Sequence, residues 1–503
     1  MEERCVTARQ MAVLIMAELP MIGRRPVTAN HHDKSPIPLV VDLDGTLVST
    51  DVAVESCFVL AKKKPLELLR LPLYLANRAR FKQRLAREAM PDVQTLPYHS
   101  EFLAFLREEK QLGRKLVLAT AADERVAREV AKQLGLFDEV FASDGGVNLK
   151  GDSKRDRLVK EFGFKGFDYA GNGSQDLSVW KAADKAFLVC STADPWFLRR
   201  RTAEFNRVFA SRAVGGWKPY FQATRPLHWF KNVLVFLPLF TAHRLYEPAM
   251  IKQALLAFVT LCLCASSIYL LNDLIDLEED RRHPQKKLRM LASGQLPVTH
   301  AAIMAPTLML IGLSVGLTQP PLFLQTIVSY CLLMLAYCLK LRSLPYWDAG
   351  ALATGYSLRV AAGAAAMRLA ISPLLLSLIF LLFFGLSLLK RYAELISHRL
   401  FTEADGRVRG FVIKDSKLIA VSGCLSSYLA IFGLGFYLAD HPDPHDGYAL
   451  VWIFYLLLVV WITRMWMAAH SGVIKGDPVS FAISDKFSLV VGILMALTAL
   501  AVG

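Results

Sequence analysis

The chain has 503 residues, 54% of them hydrophobic, and a mean hydropathy of +0.35. That is too apolar for a soluble enzyme of this length and places part of the chain in a lipid bilayer. The net charge of +14, from 58 Lys and Arg against 44 Asp and Glu, suits anionic lipid headgroups and phosphorylated substrates; with such long apolar runs, nucleic acid is not the expected partner.

Residues 1–36 read as an N-terminal extension. Their start, MEERCVTARQMAVLIMAELPMIGRR, carries Glu2 and Glu3 and lacks the basic, apolar, small-residue order of a signal peptide. The 8 cysteines include no CxxC pair and read as reduced core or lipid-facing residues. Over 37–194, short β-like runs such as PLVVDLDG, KLVLATAA and FDYAGNG alternate with charged helix-compatible stretches, the pattern of an α/β domain. Residues 195–224 are a basic, aromatic connector expected to lie along the membrane surface.

From 225 to 503 the pattern changes. Nine segments of roughly bilayer-crossing length recur, near 229–243, 253–271, 300–318, 322–340, 349–367, 373–390, 418–439, 448–467 and 487–503. The loops at 273–299, 340–348, 390–417 and 464–486 are basic. Those at 319–321 and 440–447 hold no Lys or Arg, with Arg244, Lys252 and Arg368 as the exceptions to the alternation. This asymmetry predicts one face bearing the charged loops and the soluble domain, the cytoplasmic face of an inner membrane crossed several times.

The first chemical constellation is VVDLDGTLVSTD, where an apolar run ends at Asp42 and Asp44 follows. At a strand end one carboxylate can attack while its neighbour moves a proton. The pattern DxDGT resembles motif one of the haloacid dehalogenase superfamily, and Thr120 after KLVLA, Lys154 in GDSKRDRLVKEFG, and Asn172 with Asp176 in GNGSQDL follow in that family's order. The resemblance implies a Rossmann-like phosphatase in which Asp42 accepts the phosphoryl group, Asp44 is general acid and base, and Thr120 and Lys154 bind phosphate. It places Mg²⁺ on Asp42, the Asp44 carbonyl and the Asn172/Asp176 motif. Many members have Asp where Asn172 stands, and an amide oxygen adds no charge for the metal. The insert SCFVLAKKKPLELLRLPLYLANRARFKQRLAREAM fits a helical cap, resting on anionic lipid or presenting a solvated basic face.

The second constellation is LNDLIDLEEDRRHPQKKLR. From Asn272, the aspartates Asp273, Asp276 and Asp280 recur at i, i+3 and i+7, which predicts one helix face suited to Mg²⁺ and, through it, a diphosphate. NDxxDxxxDRxHPxKxxR resembles the first aspartate-rich motif of the UbiA-type intramembrane prenyltransferases. The implied fold class is a haloacid dehalogenase α/β domain with helical cap, then an all-α polytopic membrane domain of about nine transmembrane helices.

Family members often prenylate an aromatic acceptor, and that reading stands as an alternative, as does a membrane scaffold with decayed sites, against which the retained acids count. Other segments resemble the decaprenyl-phosphate phosphoribosyltransferase group: RPLHWFKNVLVFLPLF (Arg225, Trp229, Lys231, Asn232), YCLKLRSLPYWD (Tyr337, Arg342, Asp348), YSLRVAAG (Tyr356, Arg359, Gly363) and KRYAEL (Lys390, Arg391, Glu394). That resemblance implies polyprenyl phosphate as acceptor and phosphoribosyl diphosphate as donor, with Arg225, Lys231, Arg289, Arg342, Arg359, Lys390 and Arg391 as candidate phosphate binders. Half of those at span ends would equally serve as positive-inside anchors. Arg359 falls within a span, with a phosphate or Asp348 as its expected partner. The fused phosphatase would then remove the 5-phosphate of the lipid-linked sugar.

Overall fold

The computed structural model describes residues 37–64, 66–67, 78–144, 146–190, 205–210, 216–242, 244, 246–401, 407–408, 411–440, 448–474 and 478–502. The N-terminal extension, residues 68–77 of the expected cap, residues 195–204 and 211–215 of the connector, and the 441–447 loop lie outside them.

Six parallel strands, β1 (Leu39–Val41), β2 (Leu116–Asp123), β3 (Glu139–Ser143), β4 (Asp168–Gly171), β5 (Ala186–Cys190) and β6 (Arg207–Ala210), form one sheet in the order β3-β2-β1-β4-β5-β6. Side-chain alternation sends Leu39, Val41, Leu116 and Leu118 into a core with Phe102 and Phe209, and Val40, Val117 and Ala119 into a second core with Leu158 and Phe167. Both faces are therefore covered, as a parallel sheet requires. Helices α1 (Val52–Lys63), α2 (Arg78–Glu88) and α3 (Ser100–Gln111) join β1 to β2, while α4 (Glu124–Leu134), α5 (Asp152–Phe162) and α6 (Leu177–Ala182) make the later crossovers. The chain order reverses at β1, between β2 and β4, so the loops leaving these strands open into a crevice.

The second part is helical: α7 (Lys218–Ala223), a 3₁₀ helix (Pro226–Phe236), α8 (Leu237–Thr241), α9 (Pro248–Ile275), α10 (Leu277–Arg282), α11 (Val298–Gly316), α12 (Pro321–Leu339), α13 (Trp347–Met367), α14 (Pro373–Phe401), α15 (Ser416–Asp440), α16 (Tyr448–His470), α17 (Pro478–Ser484) and α18 (Lys486–Val502). Among the described residues, 6 helices are long and apolar enough to cross a membrane, so the expected nine spans are not reached. The segment near 229–243 divides into the 3₁₀ helix and the short α8, with Pro238 at the start of the latter. Helix α13 is long enough but diluted by Asp348, Arg359 and many small residues, and α18 has 17 residues. Outer faces carry exposed Leu310, Leu332, Phe432 and Leu456, the pattern of helices solvated by lipid rather than water. By contrast α9 is the most enclosed of the six, with 61% of its apolar window buried.

Small residues let α13 approach its neighbours. A Cβ added at Gly363 would lie 2.0 Å from the Val235 carbonyl oxygen, so the 3₁₀ helix sits directly on that glycine. On α9 the same 3₁₀ helix is fastened by Trp229 Nε1 donating to Ser266 at 2.9 Å and by Asn232 Nδ2 against Cys262 Sγ at 3.3 Å.

The two parts meet through α1 and α10. Val54 and Phe58 of α1 pack on Leu270, Leu274, Leu277 and Leu291. Between these apolar contacts Glu55, 2% exposed, receives both guanidinium Nη groups of Arg281 at 2.9 and 2.7 Å. Asp92 adds a backbone N–H to Glu278 at 2.8 Å and pairs with Arg282.

Two outcomes follow from this packing. Gly363→Ala, which forces the 3₁₀ helix off α13, should destabilise the membrane part by about 1–3 kcal/mol, the cost of an overpacked contact, seen as a lower thermal midpoint in detergent. Arg281→Met strands the Glu55 carboxylate in an apolar interface and should cost about 3–5 kcal/mol, most of which Glu55→Gln in the same chain should restore; thermal melting of the single and double variants checks this.

Candidate active sites

In the soluble part, the side chains singled out from the motifs gather at the carboxyl ends of β1, β2 and β4. Asp42 follows β1 directly, Thr120 lies in β2, and Asn172 and Asp176 follow β4. Lys154, on α5 and 3% exposed, reaches across so that its Nζ is 2.8 Å from Asp42 Oδ1 and 3.9 Å from Asp176 Oδ1. Tyr169 accepts from Lys154 at 3.0 Å and donates to Asp176 at 2.7 Å. The other Asp176 oxygen accepts the backbone N–H groups of Asn172 at 3.0 Å and Gly173 at 3.1 Å. Gly45, at φ +75°, turns the motif-one loop, and a Cβ there would lie 1.9 Å from the Asn172 amide nitrogen; only glycine leaves Asn172 its place.

Burial pushes the Asp42 carboxyl above its ordinary value, Lys154 opposes that shift and Asp176 adds to it. Asp44 is lifted to about 7, by burial first and then by Asp51, while it accepts the Val52 N–H at 2.9 Å. A carboxyl poised near neutrality can both give and take a proton. One contributor escaped the motif reading: Lys82 of α2 donates to the Ala121 carbonyl at 2.7 Å and its charge acts on Asp44. Its only sequence signal was the basic character of the insert.

In the membrane part, Asp273, Asp276 and Asp280 are all buried. They do not ride one continuous helix face as their spacing predicts. Helix α9 ends at Ile275, Asp276 takes φ −96° and ψ 9°, and α10 begins at Leu277. The break falls where the Arg342 guanidinium grips Asp276 with two nitrogens, one of which also donates to Asn272 Oδ1 at 3.1 Å. The turn nevertheless keeps the outer two together: Arg289 Nη1 is 3.1 Å from Asp273 and also pairs with Asp280. Arg225 completes the ring by pairing with Asp273. Burial pushes the Asp276 carboxyl up, but Arg342 and then Lys62 outweigh it and hold it below its ordinary value.

The remaining candidates separate into two groups. Asp348 is bound by Arg391 through two nitrogens and by the Tyr337 hydroxyl at 3.0 Å, and Arg391 also reaches Glu394 at 2.6 Å. These contacts tie the end of α12 and the start of α13 to α14 beside the loop that carries Arg342. Lys390 precedes Arg391 on α14, half-buried. Arg359 is not the partner of Asp348. It donates to Asn232 Oδ1 at 2.9 Å, the Gly355 carbonyl at 2.8 Å and the Tyr330 hydroxyl at 2.8 Å, with its guanidinium 4.8 Å from the Tyr330 ring centre. At roughly 1.5 Å per residue, α13 separates it from Asp348 by ~16 Å, so the two cannot pair. Lys231 lies half-buried on the 3₁₀ helix between Trp229 and Asn232.

Among the described residues no three carboxylate, His or Cys side chains stand ready as a metal cage. The donors still fit Mg²⁺, which takes one or two carboxylates and completes its shell with water and substrate phosphate. Asp42, Asp176 and the Asn172 amide supply hard oxygens at one site, Asp273, Asp276 and Asp280 at the other.

Comparison with known proteins agrees with both halves. The model of the UbiA prenyltransferase family matches residues 233–480, and that of haloacid dehalogenase-like hydrolases matches residues 39–181. An uncharacterized protein of Sinorhizobium fredii is 31% identical over 464 residues, 92% of this chain and 90% of its own. A decaprenyl-phosphate phosphoribosyltransferase of Corynebacterium glutamicum is 33% identical over 281 residues, covering 53% of this chain and 80% of its own length. The nodulation protein NoeC of Azorhizobium caulinodans is 31% identical over 274 residues, 54% of this chain and 89% of its own. With six helices long and apolar enough to cross a membrane among the described residues, an aspartate-rich turn ringed by arginines and a parallel sheet ahead of them, the chain belongs to the UbiA prenyltransferase family as an integral membrane protein fused to a haloacid dehalogenase-like domain.

Proposed function

We propose that the membrane unit, residues 225–503, transfers 5-phosphoribose from phosphoribosyl diphosphate to a polyprenyl phosphate, and that the soluble unit, residues 37–194, then removes the 5-phosphate to leave polyprenyl-phosphate ribose. The observation that carries this reading is the density of cations on the aspartate turn. Arg225, Arg289 and Arg342 all converge there. An aromatic acceptor brings no phosphate of its own, whereas this reaction brings a diphosphate, a sugar 5-phosphate and a lipid phosphate to one place, each with oxygens for a guanidinium. The names of the phosphoribosyltransferase relatives point the same way.

In the transfer, an oxygen of the lipid phosphate bonds to the sugar C1 as the C1–O bond to diphosphate breaks. Asp273, Asp276 and Asp280 would hold Mg²⁺ here, and Asp42, the Asp44 carbonyl, Asn172 and Asp176 would hold it in the phosphatase; in each case the ion would supply positive charge to phosphate oxygens. Arg225, Arg289 and Arg342 take the phosphates, Asn272 steadies Arg342, and Tyr337, Asp348 and Arg391 fix the loop that presents it. Lys231 and Lys390 remain candidate contacts to the outlying phosphates. Asn232 and Arg359 brace the 3₁₀ helix deeper in the bundle. A cavity of about 220 Å³, lined by Ile268, Leu271, Met309, Leu313, Cys331 and Leu335, lies between α9, α11 and α12, and an apolar groove of this kind suits a polyprenyl chain.

In the second step Asp42 attacks the 5-phosphoryl group while Lys154 and Thr120 hold its oxygens. Asp44 gives its proton to the departing sugar oxygen and afterwards takes one from the water that cleaves the acyl phosphate. Helix α1 supports the coupling of the two steps. Its first residue, Val52, donates to Asp44, and Lys62 near its other end lies 3.5 Å from Asp276, so about 15 Å of helix separates the two anchor points. Covalent linkage at that range raises the local concentration of the second site. The excess of Lys and Arg in the loops at 273–299, 340–348, 390–417 and 464–486 supports a cytoplasmic position for both sites at the inner membrane.

Mass spectrometry of lipids formed by purified protein from phosphoribosyl diphosphate, a polyprenyl phosphate and Mg²⁺ tests the reading. Asp276→Asn should lower transfer by roughly 10²-fold or more, as for loss of other electrostatic stabilisers, and leave hydrolysis of a small phosphate ester intact; near-normal transfer at saturating Mg²⁺ removes Asp276 from the site. Asp42→Asn cannot form the acyl phosphate, so the lipid should accumulate one phosphoryl group heavier than the normal product. Fully dephosphorylated lipid at the wild-type rate would show that the soluble unit serves another substrate.

A further inference from the structure

The aspartate turn is met by a cation that does not come from the membrane part. Lys62, near the C-terminal end of α1 in the soluble part, has its Nζ 3.5 Å from Asp276 Oδ1 and also pairs with Glu279. Its side chain keeps 32% of its surface open, unlike the enclosed Arg281 and Glu55 that anchor the same helix two turns away. Arg282, which pairs with Asp92 at the same interface, is open as well, so what sets Lys62 apart is its reach to Asp276. Lys62 stands at the rim, able to turn its ammonium from a carboxylate to an incoming anion.

Charge balance gives the reason for it. The carboxylates of Asp273, Asp276, Glu279 and Asp280 face Lys62, Arg225, Arg289 and Arg342, so the ring is near neutral as it stands. Carboxylates that turn to Mg²⁺ release their cations, and a diphosphate offers those cations new oxygen partners. The placement of Lys62 is built into the fold rather than left to a tether. Phe58 and Val54 fix α1 on the bundle, and Gly294 lies alongside Ser49 and Pro97 of the soluble part, where an added Cβ would be in ordinary contact at 4.0 Å from each.

We infer that Lys62 is a diphosphate ligand of the membrane site, so that the transferase centre is completed by a residue of the phosphatase domain. This deepens the proposed function and rests on it for the identity of the donor, though not for the diphosphate itself. It gives the fusion a role in binding, beyond bringing two activities together.

The test uses the full-length protein in detergent and measures binding of inorganic diphosphate with Mg²⁺ by calorimetry. Lys62→Met should weaken binding by roughly tenfold or more, the scale of one lost charge-assisted hydrogen bond, and Lys62→Arg should restore most of it. The melting temperature and the hydrolysis of a small phosphate ester by the soluble part should be unchanged in both variants. Wild-type affinity in Lys62→Met overturns the inference, as does a loss of affinity matched by a fall in melting temperature that Lys62→Arg fails to rescue. If Lys62→Met binds diphosphate weakly but the wild-type protein transfers no phosphoribose, Lys62 keeps its place in the site and the donor assignment falls.

Discussion

Buried carboxylates beside a membrane are expensive unless cations meet them, and the arrangement of this protein follows from that constraint. Asp273, Asp276 and Asp280 are each less than one-tenth exposed, at a turn where a transmembrane helix ends. Left unpaired they would repel one another and favour protonation. Arg225 arrives from ahead of the 3₁₀ helix, Arg289 from the loop after α10, and Arg342 from the loop after α12. Three separate stretches of chain are thus drawn to one point, which fixes how the helices around it are arranged.

The clamp formed by Asp348 and Arg391 serves the same end from behind. Arg391 is 1% exposed and Asp348 fully buried, and a pair so enclosed adds little net stability compared with apolar packing. What it does supply is direction: with Tyr337 it determines where the loop bearing Arg342 leaves the bundle. Arg359 works deeper still. Its charge is spread over an amide, a carbonyl and two aromatic rings, a means of keeping a guanidinium ionised within a low-dielectric interior.

The soluble domain shares in this arrangement through α1. One end of that helix supplies the N–H that Asp44 accepts, the middle carries Glu55 into a bidentate pair with Arg281, and the far end brings Lys62 to Asp276. A rigid element of this kind holds two chemistries at a set separation, where a flexible linker would only confine them to a common volume.

Much of this was legible in the residues themselves. The order of Asp42, Thr120, Lys154 and Asp176 announces the sheet and its crevice because each motif joins a strand or helix end to one chemical role, and these are local properties. Hydropathy marks the bundle for the same reason, although a count of apolar runs cannot separate a spanning helix from the 3₁₀ segment at Pro226–Phe236, whose length in turns depends on what it packs against. Spacing likewise brings Asp273 and Asp280 near each other but misses the break at Asp276, since helical periodicity assumes a continuous helix and the Arg342 grip is a tertiary contact. Only the folded chain decides which cation meets which carboxylate. Arg281 and Glu55 are 226 residues apart, and a basic residue on a helix looks the same in sequence whether it faces water, lipid or a partner's carboxylate. Pairing at that range is set by the packing of α1 on α9 and α10 for Lys62, and the contacts of Arg359 with Asn232 and Tyr330 and of Lys82 with Ala121 likewise join elements distant in sequence, so all three assignments belong to the tertiary structure alone.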